Sequence, residues 1–564
     1  MNLSPNERMA GLLAPLFALR TEEDLGIGDV AALRQFIDWS RKHGFKLVQL
    51  LPINETGGDH SPYNAISSRA LDPTTLHLAP GSPEDLSKSA YEEVTASVDL
   101  KALRRGNVQY EIVKPLKKKL LERAFDVFCV RPSDDRSLTD FCESEKSWLP
   151  DYTLFRVLME LHGESETWGT WPVEHATIAA ARSWLDSLGE EERSSLRERR
   201  AFHCYVQWIA HNQWCEVKAY AEKQGVALMG DIPFGVSYYS ADVFAHPDRF
   251  ALNWSCGAPP EPYFKDDAFT QKWGQNWGIP LYRWDAMRAH NFDWWRQRVR
   301  GVREIFHLFR IDHILGFYRI YAFPWRPQEN ADILPLSWDE MLARTGGRVP
   351  HFAPRDDESW ENCEQNRRDG EEYLRMVLEE AGATRIIGED LGTVPNYVRP
   401  NLRSLGIAGF KIPQWENYPD QRSIPGSAYE RVSVATFATH DHQPVRALWD
   451  EAVAGGSTTA EQARNDLSKI AEFAGISAPN ELEDYGRDFY PRIFEALFRS
   501  ESWIALVMIT DLIGRKERFN VPGTAADSNW TRRLHTTVSK LGRGHALQRQ
   551  LRLVHDLLAA TGRL

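Results

Sequence analysis

The chain has 564 residues, 42% of them hydrophobic, which is enough for a large core and more than the about 250 residues of one plain barrel domain. Its net charge of −12 and pI of about 5.8 argue against nucleic acid or an anionic membrane as the main partner, because both reward basic surfaces. No window of about 18 residues is apolar and uncharged, and the N-terminus lacks the features of a signal peptide, so we expect a soluble, cytoplasmic protein without a membrane span.

Short apolar runs alternate with helical stretches along the chain, which is the pattern of βα units. A helix around Val30–Lys42 precedes the first clear strand, and eight runs are candidate strands. These runs are Phe45–Leu51, a weaker one near Thr75–Leu78, Val226–Met229, His307–Ile311, Arg385–Ile387, Gly409–Ile412, Val432–Phe437 and Ile504–Ile509. The pattern predicts an α/β fold, a (β/α)8 TIM barrel with large, mainly helical insertions. A doubly wound open sheet is the alternative, but no G-x-G-x-x-G turn follows an early strand.

The uneven spacing of these runs predicts the domain organisation. Residues 1–84 would form the N-terminal part of the barrel domain, and residues 85–200, rich in Glu, Lys, Arg and Leu, a helical insertion subdomain. Residues 201–564 would complete the barrel, with a smaller insertion near 325–375. We therefore expect one elaborated domain with inserted subdomains.

Three acidic residues come just past three of the strand-like runs: Asp312, Glu389 and Asp441. In a (β/α)8 barrel the loops after the strands gather on one face, so carboxylates that are distant in sequence can converge there. Asp231, in the segment GDIP, is a fourth acid at a strand end. Cleavage of a glycosidic bond requires at least two carboxyl groups close together, so the pattern predicts a carbohydrate-cleaving site.

Asp312 and Glu389 have surroundings that suit different roles. Arg310 lies two residues before Asp312 and points to the same side of the strand, so its charge would keep the carboxylate ionised, as a nucleophile requires. A structural Arg–Asp pair is equally compatible with this motif. An apolar strand precedes Glu389, and burial beside Asp312 would raise its pKa, as a general acid requires. The structural alternative for Glu389 is an acid at a helix N-terminus.

His440 and Asp441 are types that could hold sugar hydroxyls. With His442 they are also metal-ligand types, but neighbouring strand residues alternate faces and no partner motif lies nearby, so we expect no metal. The six cysteines show no C-x-x-C pair and no disulfide framework. We expect no cofactor.

These residues lie in segments that resemble those of glycoside hydrolase family 77, the amylomaltases or disproportionating 4-α-glucanotransferases. The resembling segments are SPY at 61–63, GDIPFGVSYYSADVF, GAPPEPYF, WGQNWGIPLYRWD, FHLFRIDHILGF, IIGEDLG, THD and RFNVPGT. The likeness runs along most of the chain, whereas the region from about 85 to 200 matches only in type.

The resemblance implies that Asp312 is the nucleophile, Glu389 the acid/base and Asp441 a third acid that grips the sugar at the cleavage site. It implies substrate contacts at further positions: Tyr63, Asp231, Pro260, Tyr263, Trp277, Arg310, His440 and Asn520. The implied reaction is retaining transfer of α-1,4-glucan segments from a maltooligosaccharide to the 4-hydroxyl of another glucan or glucose, by a monomer or small homo-oligomer.

Several sequence features leave open which acceptor the protein prefers and whether it has a different function. The sequence His442-Gln443-Pro444 after THD and the segment around Glu416 depart from the family pattern. Aromatic and Pro-rich loop residues (Trp254, Pro259, Pro260, Tyr263 and Phe264) could exclude water, or could simply form a packed loop. An α-amylase-type retaining hydrolase would share all three acids, and an inactive glucan-binding protein is a further alternative. The products made from maltotriose discriminate between these functions.

Overall fold

The computed structural model describes residues 1, 3–131, 136–261, 267–454, 458–477, 483–522 and 528–564. Its centre is a parallel sheet of eight strands. They are β1 (Met9–Leu13), β2 (Leu47–Gln49), β3 (Ala227–Ile232), β4 (Leu308–Ile311), β5 (Arg385–Gly388), β6 (Gly409–Lys411), β7 (Ser433–Ala435) and β8 (Ile504–Met508). The strands pair in chain order from β1 to β5 and from β6 to β8, and β8 returns to pair with β1. A parallel bridge from Ile387 to Ala408 joins the β5 and β6 sides, so the sheet closes into the predicted (β/α)8 barrel.

Helices cover the outside of the barrel. The helices that precede or follow barrel strands are Val30–Lys42, Glu190–Gln224, Asp293–Ile305, Trp360–Ala381, Val398–Ser404, Val445–Ala454, Thr458–Phe473, Tyr490–Arg499 and His545–Ala560. The first begins at its predicted position because Asp29 caps it, accepting hydrogen bonds from the backbone N–H groups of Ala31 and Ala32. Among the described residues, no helix has the length and apolar character needed to cross a membrane.

Two regions extend the barrel. Between β2 and β3 lie six further helices: Lys88–Thr95, Leu100–Arg105, Tyr110–Val130, Ser137–Ser144, Leu149–Leu161 and Ile178–Ser187. The loops after β3 and β4 form a small antiparallel sheet from Ser255–Ala258, Gln275–Asn276, Ile320–Phe323 and His351–Ala353. Short helices lie among these loops and after β8: Ala241–Ala245, Ala268–Lys272, Trp284–Ala289, Asn330–Ile333, Trp338–Arg344 and Ile509–Leu512.

One of the eight predicted strands is wrong. Pro73–Thr75 is a short 3-10 turn capped by Asp72, and Lys117 Nζ donates to the carbonyls of Thr74 and Leu76, so this segment has no strand partner. The missing strand is β1, at Met9–Leu13, which the sequence shows only as a short apolar stretch. It is fully buried because it lies between β2 and β8. The other seven predicted strands overlap observed ones.

Candidate active site

The predicted acids Asp231, Asp312 and Glu389 lie at the carboxyl ends of three adjacent strands. Asp231 belongs to β3. Asp312 directly follows the last residue of β4, and Glu389 directly follows the last residue of β5. The backbone ladder continues past those ends: Asp312 N–H donates to the Ile232 carbonyl (2.9 Å), and Glu389 N–H donates to the Ile311 carbonyl (2.9 Å). The sheet therefore fixes the backbone positions of Asp312 and Glu389 on neighbouring strands.

Arg310 joins the acids of β3 and β4. Its Nη1 lies 2.6 Å from Asp231 Oδ2, and its Nη2 lies 2.7 Å from Asp312 Oδ1. Tyr63 donates to the same Asp231 oxygen at 2.7 Å. Burial raises the pKa of Asp231 to about 6, although the Arg310 charge opposes that shift. The Asp312 side chain keeps 29% of its surface exposed, whereas Arg310 and Asp231 are buried, so Asp312 is the member of this network that a substrate can reach.

Glu389 is a buried carboxyl held by two backbone N–H groups. Its Oε2 accepts from His313 N at 2.8 Å, and its Oε1 accepts from Leu391 N at 3.1 Å. Burial raises its pKa to about 8; the Arg310 charge opposes this rise and the Asp312 charge adds to it. His313, whose backbone N–H donates to the carboxyl group, adopts a left-handed conformation (φ 44°). At neutral pH Glu389 therefore holds a proton, which is the state a general acid needs.

Asp441 lies in the loop after β7 and is held from two sides. His440 Nε2 is 3.1 Å from its Oδ2, and Asn520 Nδ2 donates to its Oδ1 at 2.6 Å. Arg518 Nη2 donates to the Asp441 carbonyl at 2.6 Å. Burial alone would raise the pKa of Asp441, but His440 and Asn520 outweigh it and hold the pKa below its usual range. Asp441 is therefore ionised, and part of its side chain remains open to solvent.

Tyr63 connects the two halves of this cluster. Its ring stacks on His440 at 5.0 Å with an interplanar angle of 12°, while its hydroxyl bonds to Asp231. The Trp530 ring packs against Tyr63 at 6.0 Å. One network therefore runs from Asp231 through Tyr63 and His440 to Asp441.

The other predicted substrate-binding and loop positions are Trp277, Pro260, Tyr263 and Trp254, and not all of them fall within the described residues. Trp277 is 37% exposed, and its ring meets that of His313 edge to face at 4.9 Å, which puts it beside the Glu389 donor. Pro260 is exposed beside Gly274 at the edge of the small sheet. Tyr263, together with Phe264, lies outside the described residues. Trp254 packs edge to face against His351 of the small sheet, with 4.9 Å between the ring centroids.

Glu416 forms a structural ion-pair cluster. It pairs with Lys411 at 3.1 Å and with Arg399 at 3.5 Å, and it is buried. Asp390 accepts hydrogen bonds from Arg399 at 3.0 Å and from the Phe410 N–H at 2.7 Å. Both acids therefore form structural contacts where the β5 and β6 sides of the barrel meet.

Three site residues were not singled out from the sequence. Arg518 lies two residues before Asn520 in the segment RFNVPGT, so the motif itself was its signal. His313 directly follows Asp312, but its role rests on its backbone conformation, which the sequence does not show. Trp530 gave no signal beyond its residue type.

No group of three His, Cys, Asp or Glu side chains in the described part of the chain is arranged to hold a metal ion. His442, one of the ligand types near Asp441, instead accepts at Nδ1 from the Thr439 backbone N–H (3.0 Å), and the Thr439 hydroxyl lies 2.7 Å from the same nitrogen.

A (β/α)8 barrel that gathers one open carboxylate, one buried protonated carboxyl and one ionised third acid at its carboxyl face belongs to the class of glycosidic-bond-processing enzymes. The model of glycoside hydrolase family 77, described as 4-alpha-glucanotransferase, matches residues 14–538, and the chain belongs to this family. It is an enzyme that transfers α-1,4-glucan segments.

Relatives and solved structures agree with this assignment. The chain is 31% identical to a 4-alpha-glucanotransferase of Chlamydia caviae over 544 residues, covering 94% of this chain and 91% of the relative. An amylomaltase from Streptococcus agalactiae, solved in complex with acarbose, has a TM-score of 0.75 at 23% identity, covering 99% of this chain and all of that one. The amylomaltase from Corynebacterium glutamicum has a TM-score of 0.77 at 20% identity, covering 98% of this chain and 75% of that one. The solved structures share the fold, and the family match favours transfer over α-amylase-type hydrolysis.

Proposed function

We propose that this enzyme moves α-1,4-glucan segments between maltooligosaccharides through a covalent glycosyl-enzyme on Asp312. The observation that carries the proposal is the pair of unlike carboxyl groups on neighbouring strands: Asp312 open and paired with Arg310, Glu389 buried and protonated. Retaining chemistry requires such a pair at about 5–5.5 Å. This separation is expected here.

In the first step Glu389 gives its proton to the glycosidic oxygen as the bond from C1 to that oxygen breaks. Asp312 forms a bond to C1, and the leaving segment departs with a new hydroxyl. Arg310 holds Asp312 in place, and Asp441 with His440 accepts and donates hydrogen bonds to the ring hydroxyls of the reacting sugar. Tyr63 offers a ring face beside that sugar.

In the second step the 4-hydroxyl of an acceptor glucan gives its proton to Glu389 and bonds to C1, while the bond from C1 to Asp312 breaks. The charge of Asp312 helps to hold the proton on Glu389 in the free enzyme. Ester formation removes that charge, so the pKa of Glu389 falls and the residue becomes the base that this step needs.

Product analysis and an activated donor test this assignment together. With maltotriose, transfer yields glucose plus chains longer than maltotriose, whereas hydrolysis yields only shorter products. An α-glucosyl fluoride donor needs no acid for its departure, so E389Q should still form the glycosyl-enzyme from it, and mass spectrometry should find the adduct on the peptide that carries Asp312. D312A should form none. An adduct on another residue, or turnover of maltotriose by D312A within tenfold of wild type, would refute the roles proposed.

A further inference from the structure

The amide of Asn520, which reaches the third acid, is held in place by a second segment of the chain. The backbone N–H of Trp530 donates to the carbonyl of Phe519 at 2.9 Å. The side chain of Asn529 accepts from the Val521 N–H at 3.0 Å and donates to the Val521 carbonyl at 3.2 Å. The residues on both sides of Asn520 are therefore bonded to this second segment, and these bonds fix the backbone from which the amide extends.

Trp530 has a backbone conformation that needs support from its neighbours. Its φ of 61° lies in the left-handed region, which residues other than glycine rarely adopt and which persists only where surrounding groups hold it. Its carbonyl accepts from the Tyr110 hydroxyl at 2.8 Å, and the carbonyl of the next residue, Thr531, accepts from the Val108 N–H at 2.8 Å. Part of the support therefore comes from the helical region between β2 and β3, to which Tyr110 and Val108 belong.

The helix Tyr110–Val130 also holds the loop that precedes Tyr63. The ring of its first residue stacks on that of His60, with 4.1 Å between the centroids and an interplanar angle of 17°. Lys114 Nζ, one turn further along the helix, donates to two backbone carbonyls of the same loop at 2.9 Å and 2.6 Å. The beginning of this helix therefore contacts both segments that border the cluster of acids.

The Trp530 ring links this support to the face that would meet the sugar. Its centroid lies 6.0 Å from that of Tyr63 and 5.9 Å from that of His440, and those two rings stack on each other. A shift of the Trp530 backbone would therefore disturb the packing behind the Tyr63–His440 stack. Through the bond to Phe519, the same shift would also turn the amide of Asn520.

We propose that Tyr110 and Asn529 are positioning residues for glucan transfer, and that the helices between β2 and β3 contribute to catalysis through them. The inference rests on the role of Asp441 proposed above. Tyr110 holds Trp530 in its left-handed conformation, and Asn529 keeps Asn520 directed at Asp441. Hydrogen bonds to the ring hydroxyls of the reacting sugar strengthen as the glycosidic bond breaks, so a misdirected Asp441 lowers kcat more than it raises KM.

A double-mutant cycle on maltotriose tests Asn529. N520A and N529A should each lower kcat about tenfold, because the first removes the amide and the second removes the bonds that direct it, while the KM of N529A should stay within about twofold of wild type. If Asn529 acts through Asn520, the kcat of N520A/N529A should lie within about twofold of that of N520A, because no amide remains to be positioned. A double variant about a hundredfold below wild type would mean that the two residues act independently and would overturn the proposal.

A matched pair of tyrosine variants tests Tyr110. Y110F removes the hydroxyl that bonds to Trp530 but keeps the ring on His60, and it should lower kcat about fivefold with little change in KM. Y490F is the control, because the Tyr490 hydroxyl donates to the Leu512 carbonyl at the same distance, 2.8 Å, and its kcat should stay within about twofold of wild type. Equal kcat values for Y110F and Y490F would overturn the role of Tyr110.

The same variants distinguish failure of this inference from failure of the proposed function. A wild-type kcat in N520A would remove the support for Asp441 and for the positioning roles together. A low kcat in N520A with wild-type values in Y110F and N529A would leave the role of Asp441 intact and overturn the positioning roles alone. Y110F removes a single oxygen atom, so the test stands even if N529A fails to fold.

Discussion

Two carboxyl groups of the same chemistry lie in opposite environments here because their neighbours differ. Asp312 has a guanidinium at 2.7 Å and an open face, while Glu389 has only backbone donors and is enclosed. Burial disfavours charge, and a paired cation favours it, and the proposed roles of Glu389 as acid and Asp312 as nucleophile rest on this difference.

The pH dependence of transfer should report Glu389. Its pKa of about 8 lies above its ordinary value, and the protonated form is the acid, so activity should persist at neutral pH and be lost as the pH rises through about 8. The basic limb of the kcat/KM profile for maltotriose measures this. Infrared titration gives a check without turnover: the carboxyl band that is absent in E389Q should titrate at lower pH in D312N, because the Asp312 charge is gone. An unmoved band in D312N would contradict this coupling.

The Tyr63 hydroxyl donates to Asp231 and also lies near Arg310 Nη1 (3.4 Å) and His440 Nδ1 (3.5 Å), while its ring stacks on His440. Y63F removes the hydroxyl contacts and keeps the ring, and we expect kcat/KM to fall by roughly tenfold, the usual cost of a hydrogen bond to a charged group. Y63A also removes the stacked ring and should lower kcat/KM further. Steady-state kinetics on maltotriose compares the two; equal losses in Y63F and Y63A would mean that the ring contributes nothing.

Among single residues, the sequence predicts those candidate site residues that combine a chemically suitable side chain with a position at or just after the end of a strand. Asp312, Glu389 and Arg310 are of this kind, because strand ends of a barrel converge regardless of the intervening sequence. Trp530 and His313 are not. Trp530 reaches Tyr63 across more than four hundred residues of chain, and His313 acts through a left-handed backbone that nothing in its residue type requires.

At the scale of single elements, β3 has no room for a side chain between Met229 and Asp231. A Cβ atom at Gly230 would lie 2.3 Å from Cδ2 of Phe306, a ring buried beneath the strand. G230A should therefore destabilise the fold by about 1–3 kcal/mol, the usual cost of overpacking, and should lower kcat by displacing the adjacent Asp231.

Thermal unfolding and maltotriose kinetics of G230A check this expectation. G106A is the matched control, because a Cβ there meets nothing closer than 3.9 Å, and its unfolding free energy should stay within about 0.5 kcal/mol of wild type. A G230A variant as stable as G106A would show that the Phe306 ring can move aside.

Helices and strands with a clear local sequence pattern can be predicted from the sequence, whereas those whose structure depends on contacts with other parts of the chain cannot. The helix Val30–Lys42 has an apolar stripe and an aspartate cap, and both are visible in the sequence. The segment Thr75–Leu78 contains β-branched and apolar residues, but Lys117 Nζ donates hydrogen bonds to the backbone carbonyls of Thr74 and Leu76. The five residues of β1 carry too short a pattern to stand out, and become a strand because β2 and β8 flank them.

At the scale of the whole molecule, closure of the barrel is the step that no local pattern shows. It requires Ile387 to meet Ala408, and it requires Met9 to meet Ile504, a contact that joins the two ends of the chain. The predicted fold class followed from the alternation of elements, since a chain of βα units has few ways to bury both faces of its strands. Closure then places the residues after β3, β4, β5, β7 and β8 around one mouth.

The same closure buries acids that bear on stability as well as on chemistry. Burial raises the pKa of Asp511, after β8, to about 7. It raises that of Asp390 to about 6, with Arg399 opposing, and that of Glu389 to about 8. Each group binds its proton more tightly in the folded chain than in the unfolded one, so these acids make stability decline as the pH rises from about 4 to 8.

Asp511 offers the cleanest test, because within the described residues its side chain accepts its hydrogen bond from the Val445 N–H, at Oδ1 and 2.7 Å, and asparagine can accept the same bond. Its contribution is full below its unfolded pKa of about 4 and is lost as the pH rises through about 7, a change of the order of 4 kcal/mol. D511N should therefore unfold at nearly the same temperature as wild type at pH of about 4 and at a higher temperature at pH of about 8. Calorimetry at the two pH values measures the difference, with D186N on an exposed helix face as a control that should follow wild type. A wild-type midpoint that falls no further than that of D511N between these pH values would mean that Asp511 stays ionised in the folded enzyme.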